Sequence, residues 1–294
     1  MRVVIINRRE YSSSSKYTDV EIQDLYAGRK SFMERLGLQV TNFLLWFVQA
    51  HDIPHSSDDH KSGGLVVMGW SIGNVTSLAF LGQPDVVPQE SYQKLKPYIK
   101  EVILFGPNSQ CYPSSSKSSQ FFAEPPDMTF EYYETFRAKS WDPKTFHRDI
   151  SSYYDCMYDP NIFPDTNPRP NRSLPRLDKP LSVDNMTEEE LVSILDIPAC
   201  FRADSPMLSE LPIRQVIREQ ARKAIFDEVF AREIFPDLQL VFIGAELTVL
   251  ACVWGKLVLK KQYADAVEQG RRARPLRFIE IKGANHFVNI LHLS

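Results

Sequence analysis

One stretch decides the fold of this chain: Leu65-Val66-Val67-Met68-Gly69-Trp70-Ser71-Ile72-Gly73. It opens with an apolar run that is entered through Gly63-Gly64, a pattern that predicts a buried strand. Apolar residues then recur at helical spacing from Ile72 to Ala79, and Gly82 ends this pattern shortly before Pro84. The stretch therefore predicts a strand, a tight turn at Ser71 and a helix.

The turn at Ser71 fits the pattern Gly-x-Ser-x-Gly. A reversal this tight strains the serine backbone, and glycine at positions 69 and 73 would let neighbouring segments pass without a Cβ clash. The hydroxyl would stand at the end of the strand and at a helix N-terminus, where negative charge is favoured. We therefore expect Ser71 to be a nucleophile. A strand-to-helix turn without chemistry is the alternative.

Composition restricts the class of protein. The chain has 294 residues, of which 43% are hydrophobic, and a net charge of −3 with both signs interspersed. It can bury one large core, and nothing in its charge pattern calls for nucleic acid or an anionic membrane. Its four cysteines are far apart, which indicates reduced thiols and a cytoplasmic location. The densest apolar run, 43–48, is too short for a transmembrane segment, and we see no secretory signal.

Further strands are predicted at Val3–Ile6, Val102–Phe105, Leu238–Ile243 and Leu276–Ile281, because each is a continuous apolar run. Helical patterns alternate with them, and the first begins at Thr18 with a capping-box residue at Glu21. This alternation predicts an α/β fold, with a mostly parallel sheet and helices on both faces.

The pattern changes between Gly106 and Phe235. Residues 111–180 are rich in proline and serine, and two helices follow, opened by Thr187 with Glu190 and by Pro212. An insertion of this length is too long for a plain crossover and indicates a largely helical cap. We therefore expect a first core part at 1–106, a cap at 107–235 and a second core part at 236–294.

A serine nucleophile needs a base that a carboxylate orients. His286 follows the last predicted strand, as the histidine does in the chain order Ser, acid, His. In that order the acid follows the strand at 238–243, where Glu246 is the carboxylate present. Other carboxylates stay open as candidates for this role: Asp155, Asp159 and Asp237.

A second cluster of ionisable residues lies in the polar loop at 51–60 and contains His51, His55 and His60 with Asp52, Asp58 and Asp59. Its spacing matches no helix face, so we interpret it as a solvated loop and expect no metal site. No other motif calls for a cofactor.

Together, these segments resemble the α/β-hydrolase superfamily of the cap-bearing type. The resemblance rests on Asn7-Arg8-Arg9-Glu10-Tyr11, on Gly69 to Asn74, on Trp254 and on Gly283 to Phe287. The first two look like a group of uncharacterised fungal hydrolases. The resemblance implies an eight-stranded sheet, no metal or organic cofactor, and ester or amide hydrolysis through an acyl-serine.

Within this resemblance, Val3–Ile6 looks like the fourth strand, so the strands before it and the loop that gives a second oxyanion donor are expected to be missing. We expect an esterase that acts on a hydrophobic small molecule, with Ser71, His286 and Glu246 as the triad and Ile72 as an oxyanion donor. The alternative is a non-catalytic or truncated hydrolase-like protein that binds a ligand or partner.

Overall fold

The computed structural model describes residues 2–107, 148, 150–158, 170–181, 183–184, 186–194, 196–209 and 211–287. Its strands are β1 (Leu65–Trp70), β2 (Ile99–Phe105), β3 (Tyr154–Tyr158), β4 (Pro170–Pro175), β5 (Gln239–Ala245) and β6 (Leu276–Ile281). Its helices before β2 are α1 (Asp19–Tyr26), α2 (Lys30–Ala50), α3 (Gly73–Gly82) and α4 (Gln89–Leu95). After β4 come α5 (Glu188–Ser193), α6 (Ile197–Ala199), a π-helical turn (Cys200–Asp204), α7 (Ser205–Ser209), α8 (Leu211–Phe226), α9 (Glu228–Glu233) and α10 (Leu250–Glu268).

The main sheet has the strand order β1-β2-β5-β6, and each neighbouring pair is parallel. Its register pairs Trp70 with Phe105, Phe105 with Ile243, and Ala245 with Ile281. The carboxyl ends of all four strands therefore meet at one edge. A mostly parallel sheet with flanking helices confirms the predicted α/β class.

The core lies against the sheet face that carries Val102, Leu104, Leu240 and Phe242, all of which are fully buried. Helix α3 packs against β1 on this face, and α2 and α8 cover α3 in turn. Helix α10 lies on the same face, since its Tyr263 contacts Phe278, the neighbour of Phe242. This placement follows from the strand order, because successive right-handed crossovers in one direction put their helices on one face.

Local signals for helices are confirmed. Thr18 caps α1 and forms both bonds of a capping box with Glu21, and Thr187 does the same for α5 with Glu190. Helix α3 ends at Gly82, as its apolar spacing predicts, and α8 begins beside Pro212. These signals need only neighbouring residues, so tertiary contacts leave them unchanged.

The prediction of a core strand at Val3–Ile6 is wrong. These residues form no strand, and their side chains are exposed, with Ile5 at 89% and Val3 at 69%. A continuous apolar run satisfies the sequence pattern of a buried strand, but a strand also needs a partner for its backbone groups. In the part of the chain that the structure describes, residues 3–6 have none.

Sequence patterns also did not predict the antiparallel pair of strands β3 and β4. Strand β4 begins at Pro170 and ends at Pro175, and prolines are unusual in strands. The domain boundaries stay a prediction, since most of 107–169 lies outside the described residues. Among the described helices, none has the length and apolarity needed to cross a bilayer.

Candidate functional site

Ser71 has a left-handed backbone, with φ of 52°, directly between β1 and α3. Its N–H donates to the carbonyl of Phe105 at 2.9 Å, which ties the turn to the neighbouring strand. The buried side chain of Asn74 donates to the carbonyls of Ser71 at 2.7 Å and Phe105 at 3.0 Å. Because a left-handed serine costs about 1–2 kcal/mol, these bonds are what hold the turn in its strained form.

The two glycines that flank Ser71, Gly69 and Gly73, differ in how closely other atoms approach them. A Cβ at Gly69 would lie 2.4 Å from Oγ of Ser77 and 2.7 Å from Cα of Asn74, so only glycine lets α3 approach β1 this closely. A Cβ at Gly73 would have nothing within 4 Å. The steric reason that we predicted for both glycines therefore holds at Gly69 and is wrong at Gly73.

Ile72 occupies the N-cap position of α3. The N–H groups in the first turn of a helix have no partner within it, and the helix dipole adds partial positive charge there. The backbone of Ile72 is therefore placed to donate to an anion that forms beside Ser71.

His286 follows β6 in a loop that closes over the same sheet edge. The carbonyl of His286 accepts a hydrogen bond from Nε1 of Trp70 at 3.1 Å, and the two rings lie 5.4 Å apart. A Cβ on Gly106, which follows β2 with φ of 52°, would lie 3.2 Å from Cε1 of His286. The imidazole thus lies over the end of β2, next to β1, the strand that Ser71 directly follows.

The imidazole is buried, with 6% of the residue exposed. Its Nδ1 lies 3.2 Å from Oγ1 of Thr248 and 3.7 Å from Sγ of Cys252. Burial lowers the pKa of His286 to about 4, so the ring is neutral at physiological pH. Among the described residues, no carboxylate contacts this ring and no hydrogen bond joins it to Oγ of Ser71.

Glu246 lies at the start of the loop after β5, and its side chain contacts the loop that carries His286. It accepts from the N–H of Gly283 at 2.7 Å and from Nζ of Lys282 at 3.1 Å. The bond from Gly283, followed by that from Lys282, lowers the pKa of this carboxyl. Glu246 therefore anchors the segment that carries His286 without touching the imidazole.

The other carboxylates considered for the acid lie elsewhere. Asp155 is on β3 and pairs with Arg176 at 3.7 Å. Asp237 precedes β5 and is thus at the opposite end of the strand from Glu246. Asp159 lies outside the described residues.

Sequence patterns missed Thr248 and Cys252, the side chains that contact the imidazole. Both are buried, and Sγ of Cys252 also donates to the carbonyl of Gly106 at 3.1 Å. An isolated threonine and an isolated cysteine carry no motif, so no signal in the sequence could have linked them to His286.

Two further features concern ligands. A cavity of about 550 Å³ lies beside α2 and α3, with Leu36, Val40, Phe43, Thr76 and Met207 in its wall. In the described part of the chain, no group of three or more His, Cys, Asp or Glu side chains could hold a metal ion, the loop at 51–60 included.

No family model matches the chain, and no curated protein matches it. Among solved structures, it is similar to the crystal structure of bromoperoxidase from Bacillus anthracis, at 11% identity and a TM-score of 0.37. That match covers 86% of this chain and 68% of the other. The assignment of an α/β fold rests on the chain's own parallel sheet. The carboxyl edge of this sheet carries both Ser71 and His286.

Proposed function

We propose that this protein is a serine hydrolase of the α/β-hydrolase type that cleaves a carboxylic ester of a hydrophobic small molecule. One observation carries the proposal: Ser71 has the strained, left-handed backbone of a nucleophile elbow, and His286 lies at the same edge of the sheet. Strain of this kind at a strand-to-helix turn is characteristic of functional positions.

In the proposed reaction, Oγ of Ser71 attacks the ester carbonyl while His286 takes the hydroxyl proton. The carbonyl oxygen becomes an oxyanion that the N–H of Ile72 stabilises. His286 then gives the proton to the departing alkoxide, and an acyl-serine remains. A water molecule attacks the acyl group through the same sequence, with His286 again taking a proton and returning it to Ser71.

Glu246, the carboxylate expected as the triad acid, acts on His286 through its loop in this proposal. Its contact is with the backbone of Gly283, three residues before the histidine. A carboxylate that bonds to the loop backbone and not to the ring fixes the loop's position but adds little stabilisation to an imidazolium. We therefore assign to Glu246 a positioning role.

The cavity beside α3 supports a hydrophobic substrate. Ser71, Ile72 and His286 do not line it, but Thr76 in its wall is four residues after Ile72, which is about one helical turn from the proposed oxyanion position. Its volume is in the range of small-molecule sites, and its wall combines apolar side chains with polar and charged ones such as Arg8, Arg9 and Asp204. We propose that it takes the apolar part of the ester.

The test is covalent labelling with a fluorophosphonate, which reacts with activated serines. The wild-type protein should gain the mass of one probe, and Ser71→Ala should gain none while its circular dichroism spectrum stays the same. Ser62→Ala, at an exposed loop position, serves as the matched control and should label like the wild type. Labelling of Ser71→Ala would place the nucleophile elsewhere.

A second candidate is a non-catalytic protein that binds a ligand in this fold. The observation in its favour is that, in the part of the chain that the structure describes, neutral side chains and no carboxylate contact the buried imidazole of His286. A folded wild-type protein that fails to label, yet binds an apolar fluorescent dye in the cavity beside α3, would favour this candidate.

A further inference from the structure

Among the described residues, two side chains lie close to Nδ1 of His286, and both are neutral. Oγ1 of Thr248 lies at 3.2 Å and Sγ of Cys252 at 3.7 Å, and both side chains are buried. The position that a carboxylate occupies in a catalytic triad is therefore filled by a hydroxyl and a thiol.

The proton on the thiol determines what Cys252 can offer. A thiol has one hydrogen, and Sγ of Cys252 donates to the carbonyl of Gly106 at 3.1 Å. Its lone pairs are then what it presents to His286, so the hydrogen of this contact must come from Nδ1. The hydroxyl oxygen of Thr248 can accept from the same N–H.

The contact with Cys252 distinguishes the two neutral forms of the ring. With the proton on Nδ1, Nε2 has a free lone pair and can act as a base. With the proton on Nε2, Nδ1 could accept from the hydroxyl of Thr248 but would face the sulfur lone pairs of Cys252 without a hydrogen between them. Thr248 fits both forms, so it is the thiol that favours the form in which Nε2 is the acceptor.

We propose that Thr248 and Cys252 are positioning residues that hold His286 in its Nδ1–H form, so that Nε2 can take the proton of Ser71. This inference rests on the proposed hydrolase function, and it assigns to a neutral pair the tautomer control that a carboxylate otherwise provides.

A neutral pair orients the ring but does not balance the charge of an imidazolium. We therefore expect acylation to be slow compared with an enzyme whose histidine contacts a carboxylate. The first test is ¹⁵N NMR of protein labelled at its histidines, with the His286 signals identified by their absence from His286→Gln. At pH 7, Nδ1 of His286 should have the shift of a protonated nitrogen and Nε2 that of an unprotonated one. The reverse assignment would overturn the proposal.

The second test compares disruptive and conservative substitutions. Thr248→Val with Cys252→Ala removes both acceptors, so the ring should populate both tautomers and fluorophosphonate labelling should slow by about 10²-fold or more. Thr248→Ser with Cys252→Ser keeps a hydroxyl at each position and should restore the Nδ1–H form and most of the rate. If the disruptive pair keeps the wild-type tautomer, the proposal fails.

The NMR measurement separates this inference from the hydrolase function. Labelling of Ser71 that continues unchanged in a protein with the wrong tautomer would refute the positioning role alone. A wild-type protein with the Nδ1–H form that does not label would refute the hydrolase and keep the positioning role.

Discussion

Trp70 donates from Nε1 to the backbone carbonyl of His286 at 3.1 Å, across 216 residues of sequence. Trp70 is the last residue of β1 and immediately precedes Ser71. The histidine loop is therefore attached to the strand that presents the proposed nucleophile. A single hydrogen bond thus couples the positions of the two proposed reacting side chains.

Gly106→Ala should reduce fluorophosphonate labelling more than it reduces stability. The new Cβ would lie 3.2 Å from Cε1 of His286, so the ring must move by a few tenths of an ångström. We expect labelling to slow by about 10-fold, since small displacements of a catalytic group are costly. Gly270→Ala is the matched control, because its φ of 66° imposes similar backbone strain with nothing within 4 Å. Equal labelling of the two variants would contradict this prediction.

Glu246→Gln should change the labelling rate by only a few fold. The amide oxygen of glutamine can still accept from the N–H of Gly283, and only the charge opposite Lys282 is lost. Glu246→Ala should have the larger effect, because it removes the anchor of the histidine loop. A fall of about 10⁴-fold in Glu246→Gln would instead mean that the carboxylate contacts the imidazole during the reaction.

The stability of the protein should fall between pH 6.5 and pH 4.5 because of His286. The unfolded chain binds a proton at this residue near pH 6.5, whereas burial lowers the pKa in the folded state to about 4. Stability is therefore complete above pH 6.5 and decreases as the pH falls, by about 2–3 kcal/mol over this interval. Urea unfolding at several pH values measures it.

His286→Gln is the control for this pH dependence and should lose most of it. The carboxyls of Glu21 and Glu280 have pKa values lowered to about 2, by hydrogen bonds first from Arg9 and from Lys256 respectively. Their contribution is lost only as the pH falls below about 4.5, outside the interval measured. An unchanged pH slope in His286→Gln would assign the effect to another group.

Asn74→Ala should destabilise the protein by about 1–3 kcal/mol and slow labelling. It leaves the carbonyls of Ser71 and Phe105 without the side-chain donor and releases the strained turn. Asn74→Asp is a sharper variant, because a carboxylate of similar shape cannot donate to either carbonyl. Both variants should unfold at lower urea concentration than the wild type. A wild-type midpoint and labelling rate would show that the strain at Ser71 is held by other contacts.

Asp204→Ala should cost about 3 kcal/mol of stability. Asp204 is buried and accepts from Arg8 and from the hydroxyl of Tyr11, so its removal leaves a mostly buried guanidinium without its partner. Asp19→Ala removes an exposed pair with Arg202 and should produce no measurable change. Similar urea midpoints for the two variants would contradict the assignment of Asp204 as a buried anchor.

The sequence by itself determined the elements whose signals are local. The apolar run before Ser71, the capping boxes at Thr18 and Thr187, and the end of α3 at Gly82 all depend on residues within a few positions of one another. The strands formed by glycine-bounded apolar runs were also predictable, since a continuous apolar run is the usual sequence pattern of a strand in a parallel sheet. These signals were sufficient for the α/β class and for the placement of Ser71 and His286 at one edge.

Only the tertiary structure decided which side chains contact one another there. Glu246 is in the expected loop, but its carboxylate is directed to the backbone of Gly283, while Thr248 and Cys252 contact the imidazole. The run Val3–Ile6 has the composition of a core strand and is exposed, because pairing depends on a neighbour that composition does not encode. Periodicity reports which face of an element is apolar, whereas a contact depends on how distant segments pack, and that is settled only when the whole chain is folded.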